Sequence, residues 1–188
     1  MQLGGQLRGW LRRRVADRAL TAAPDSIRLA SSDDRWLGTR VRGWSDELVR
    51  RGWAPVGGYV VEELPGTRIA ALLLPRRGAA AALIDRAGVG QWVNLLAECR
   101  DGRILEFTTR PPGGCWPPWM TVIHRPGSML AEMDDEFRNA LPSGRIRLAA
   151  ADLPRLFEAS YEREVSWRKR GGGGLPALLA QEPLPEGE

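Results

Sequence analysis

The 188-residue chain holds little of what most enzymes and metal proteins use: one histidine, His124, two cysteines, Cys99 and Cys115, and one lysine, Lys169. A lone imidazole leaves only Cys115 with His124 as a nucleophile and base, a loop thiol beside the end of the next predicted strand. A zinc site from Cys99, Cys115 and His124 lacks a fourth ligand and the CxxC spacing that makes such sites specific. No metal and no cofactor are therefore expected. Two cysteines are also too few for a disulfide framework, which points to a reduced setting. No apolar run reaches the roughly 20 residues needed to cross a bilayer. Arg8, Arg12, Arg13 and Arg14 interrupt any signal-peptide core, so a cytoplasmic location is expected.

Glycine clusters lack the context that binds phosphate. Gly88 and Gly90 precede a strand, and Gly171 to Gly174 follow a helix without the GK[ST] that a phosphate loop carries. The acidic runs Glu62-Glu63 and Asp134-Asp135-Glu136 read as solvated faces.

What the chain does have is segregated charge and many tryptophans. Residues 1–53 hold 11 Arg against 6 acidic residues, a balance of +5, within a net charge of +4. Residues 1–22 read as a basic amphipathic helix, with Leu3, Leu7, Trp10, Leu11 and Val15 at helical spacing and Arg8, Arg12, Arg13, Arg14 and Arg18 around them. Such a helix can cover its own domain, dock on an acidic partner or lie on an anionic membrane. Of the eight tryptophans, Trp92 and Trp167 read as core. Trp116 and Trp119 sit on the proline-stiffened loop from Pro111 to Trp119 and read as an interaction surface.

Residues 23–43 read as a connector with at most a short element at Ile27 to Ala30. A short helix, Trp44 to Arg51, follows, with Ser45 as N-cap, Asp46 and Glu47 in its first turn and Gly52 beyond its end. Six strands are then predicted: Val56 to Leu64, Thr67 to Leu74, Ala79 to Asp85, Gln91 to Cys99, Arg103 to Thr109 and Trp119 to His124. Short links between them imply an antiparallel meander. A two-residue turn at Asp101-Gly102 pairs Glu98 with Leu105, Leu96 with Phe107 and Asn94 with Thr109. That register groups Trp92, Leu96, Leu105 and Phe107 on one face.

Ser128 to Leu141 and Leu153 to Arg170 are predicted as helices, the second capped by Asp152. The expected fold is α+β: an antiparallel sheet of five to six strands with flanking helices, within a domain spanning 44–170 and followed by a tail, 171–188.

The block from Leu48 to Thr109 resembles a family of uncharacterised bacterial proteins. The similarity covers about residues 47–110 and rests on Leu48 to Trp53, Val56-Gly57, Gly90 to Trp92 and Asp101-Gly102. These positions shape a scaffold, so the resemblance implies a shared architecture and carries over no catalytic residue.

Together these readings give an expectation of a non-catalytic module. It would bind a protein partner, or another copy of itself, through Trp10, Arg12, Arg13, Arg14, Trp116 and Trp119. Attachment to an anionic membrane surface, and a small-molecule binder or enzyme with a pocket between sheet and helices, are the alternatives. Nucleic-acid binding is a weaker expectation, since acidic residues interleave the basic region and no recognition motif is present.

Overall fold

The computed structural model describes residues 22–33, 37–110 and 115–172. The basic N-terminal segment, with Trp10, Arg12, Arg13 and Arg14, lies outside the described residues, as does almost all of the C-terminal tail.

Among the described residues seven strands form one sheet in chain order: β1 (Leu29–Ser32), β2 (Ala54–Val61), β3 (Thr67–Leu74), β4 (Ala79–Arg86), β5 (Gly90–Glu98), β6 (Ile104–Thr108) and β7 (Met120–His124). The α+β class and all six predicted strands are present, and β1 lies where the connector was expected to hold at most a short element, Ile27 to Ala30. Every neighbouring pair is antiparallel except β6 and β7, which are parallel. The uninterrupted meander expected from the sequence therefore breaks at its last step. A tight turn reverses the chain, whereas the long proline-rich link over residues 109–119 lets it return to the same end of the sheet before β7 begins.

Among the described residues three α-helices cover the sheet: α1 (Thr39–Arg50), α2 (Leu130–Ala140) and α3 (Leu153–Trp167). The helix predicted to begin at Trp44 begins five residues earlier, because Val41 and Leu48 recur at helical spacing and bury the same stripe. Ser45, Asp46 and Glu47 are thus interior positions and cap nothing. Met129, not Ser128, precedes α2 in an extended conformation.

Alternation along the strands sends apolar side chains both ways. One face carries Leu72, Leu83, Val93, Leu95 and Phe107, packed against Val41 and Leu48 of α1 and Met133 and Phe137 of α2. The other carries Ile69, Ala82, Ile84 and Trp92, packed against Tyr161 and Val165 of α3 and against Ala23 and Ile27. The sheet is buried on both sides, as the apolar stretch of β3 to β5 requires. No helix among the described residues is long and apolar enough to cross a membrane.

The register of the β5–β6 hairpin differs from expectation by one residue. Asn94 pairs with Thr108, Leu95 with Phe107, Leu96 with Glu106 and Glu98 with Ile104. The Cys99 amide donates to the Arg103 carbonyl at 2.7 Å and the Gly102 amide to the Cys99 carbonyl at 2.9 Å. Gly102 takes φ of +79°, so the loop is a three-residue turn closed by a left-handed glycine, not a two-residue turn. A slip of one residue exchanges the faces of a strand. Leu105 and Phe107 therefore join the α1/α2 core, while Ile104, Glu106 and Thr108 face α3 beside Asn94 and Leu96.

Candidate functional site

On the α3 side, β4, β5 and β6 leave a cavity of about 60 Å³ beneath the helix, lined by Ile69, Ala82, Ile84, Leu96, Phe157 and others. One water needs roughly 10–15 Å³ on this measure, so the space accepts a few waters or a small organic molecule. Its polar lining consists of Asn94, Glu106, Ser160, Tyr161 and Glu164.

Glu106 is the unusual member. It is 4% exposed and lines the cavity, within the electrostatic reach of Glu164 and Arg110. The adjacent polar groups are engaged elsewhere: the Thr108 hydroxyl donates to Asn94 Oδ1 at 2.8 Å. Loss of hydration pushes the Glu106 carboxyl up from 4.5 to about 8, and the negative charge of Glu164 adds to the rise while Arg110 opposes it. Burial thus favours the protonated carboxyl, which can donate one hydrogen bond and accept others.

Helix α3 supplies the opposite wall. Glu164 is buried and paired with the equally buried Arg168, whose Nε and Nη2 donate to Oε1 at 2.9 and 2.7 Å. The Tyr161 hydroxyl donates to the Pro24 carbonyl at 3.1 Å, and burial pushes its phenol up. The Leu29 amide donates to the Glu158 carboxylate at 2.7 Å, which fastens β1 to the same helix. Arg110, at the end of β6, lies over the Trp92 ring at 5.4 Å from its centroid.

The loop tryptophans fold back on this wall. Trp119 meets Trp167 edge to face at 6.2 Å, with the Arg163 guanidinium 4.4 Å from the Trp119 ring. Trp116 Nε1 donates to His124 Nε2 at 3.2 Å, and Arg168 lies 5.4 Å from the Trp116 ring. Both tryptophans are half-buried, so part of their surface serves their own domain.

His124 is spoken for at both nitrogens. Nδ1 faces the Arg110 carbonyl at 3.0 Å; a carbonyl only accepts, so Nδ1 carries the proton and Nε2 receives the Trp116 N–H. This leaves the exposed Cys115 thiol without a base in His124, and the nucleophile-and-base pairing does not form.

The acidic run on α2 also departs from the solvated reading. Asp135 and Glu136 are exposed, but Asp134 is fully buried. Asp134 accepts from Arg51 Nε at 2.6 Å, Arg138 Nε at 2.9 Å and Trp53 Nε1 at 3.0 Å. This network ties the end of α1 to α2 on the face away from the cavity, and its role is structural.

Sequence reasoning passed over Glu106, Glu164 and Asn94. The signal that finds them is turn length: Arg100-Asp101-Gly102 with a left-handed third residue shifts the register and turns Glu106 inward.

The class these features define is a two-faced α+β protein with a buried acid in a sheet–helix cavity. The chain matches no protein-family model, no curated protein and no solved structure, so its chemistry has to be read from its own residues.

Proposed function

We propose that this protein binds a small molecule between the sheet and α3, with the apolar body of the ligand among Ile69, Ile84, Leu96 and Phe157 and its polar end at Glu106. One observation carries the reading: a buried carboxyl that lines a mostly apolar cavity between sheet and helix. Taking a carboxyl out of water costs free energy, which is why Asp and Glu are seldom fully buried. An acid kept in this state against stability fits a role in recognition.

Ligand-observed NMR with a set of small fragments tests this on the full chain. Hits are expected that weaken at least tenfold in Ser160→Leu, which fills the cavity from α3, and in Ala82→Val, which narrows it from β4. Fragments that bind both variants as well as the parent protein, or no hits at all, would remove the proposal.

A further inference from the structure

The lining of the cavity also restricts the ligand class, an inference that rests on the small-molecule reading above. An anionic head would meet the carboxyls of Glu106 and Glu164 in the lining, where no basic side chain among the described residues lies, and Arg110 reaches Glu106 only from outside that lining. Arg168 is committed to Glu164. A cationic head fares no better. It needs Glu106 ionised inside an apolar enclosure, within reach of the positive field of Arg110. A neutral head remains.

We propose that the ligand is a short aliphatic molecule ending in a primary amide or an un-ionised carboxylic acid, held by paired hydrogen bonds to the Glu106 carboxyl. A protonated carboxyl presents an O–H donor and a C=O acceptor side by side, and these two heads present the complementary pair. The aliphatic walls, Ile27, Ile69, Ala82, Ile84 and Leu96, suit a short hydrocarbon body. Besides burial, Glu164 of α3 and Arg110 after β6 act on the proton of Glu106, while Asn94 of β5, Met120 of β7 and Tyr161 of α3 line the same space.

Affinities of butyramide and n-butylamine for the full chain, measured at pH 6.5 and pH 9, test the inference. Butyramide is expected to bind at least tenfold more tightly than butylamine at pH 6.5. It should weaken about tenfold at pH 9, one unit above the point at which Glu106 loses its proton. Glu106→Gln keeps a donor and an acceptor in the same shape, so it should bind butyramide and lose the pH dependence; Glu106→Leu should bind neither probe. Equal or tighter butylamine binding, or butyramide binding that survives Glu106→Leu, overturns the ligand class. If apolar fragments bind and are displaced by Ser160→Leu while butyramide fails, only the class falls. If fragments ignore Ser160→Leu, or nothing binds, the cavity reading falls with it.

Discussion

Glu106 makes stability depend on pH in a direction opposite to that of most carboxylates. In the folded chain it keeps its proton up to about pH 8, whereas in the unfolded chain it releases it above about 4.5. The folded state therefore holds more protons across that window, and stability falls as pH rises from 4.5 to 8, then levels off. The shift corresponds to a loss on the order of 5 kcal/mol. Glu106→Gln is expected to flatten this slope and to exceed the parent protein in stability at pH 9, with little difference at pH 4; urea unfolding at both pH values measures it. Asp134 should behave differently, because its partners are in place. Asp134→Ala strands Arg51, Arg138 and the Trp53 N–H and is expected to cost about 3 kcal/mol, read as a lowered urea midpoint. Neither residue was legible from composition. Asp134 sits in a run of three acids whose outer two are solvated, and Glu106 lies between Leu105 and Phe107 in a strand whose register had to be known first.

At the level of elements, strands were more readable than helices and turns. Runs such as Thr67–Leu74 and Ala79–Arg86 are separated by too few residues for anything but adjacent strands. Helix α1 was harder to delimit, because Asp46 and Glu47 imitate a first turn in the middle of the helix, and Gly43 weakens its first half. The link between β3 and β4 shows how tightly one turn can be held. Gly78 has φ of +59°, and a Cβ there would meet the Ile146 carbonyl oxygen at 2.1 Å. The neighbouring Arg145 side chain also donates to the Arg77 carbonyl. Gly78→Ala must therefore move backbone on both sides, and a loss of about 2–4 kcal/mol is expected in thermal or urea unfolding. Gly88 also has a positive φ but has nothing within 4 Å of its would-be Cβ. Gly88→Ala should cost about 1 kcal/mol, the backbone term alone.

For the whole molecule, burial on both faces of the sheet predicts a sharp contrast between the two thiols. Cys115 is exposed and Cys99 is buried, so a thiol reagent should label one cysteine rapidly in the native protein and the second only on unfolding. Rapid labelling of both would mean that the β5–β6 end of the sheet is open. The α+β class and the presence of α2 and α3 followed from periodicity. The parallel docking of β7 did not, because it depends on where a long proline-containing link re-enters the sheet. The three-residue turn after β5 has the widest reach. Shorten it by one residue and β6 would offer Phe107 to the space under α3 and press Glu106 into the hydrocarbon between α1 and α2. A deletion in water, far from the cavity, would turn the protein inside out along that strand. Relatives that differ in the length of this turn are therefore expected to differ in what they hold.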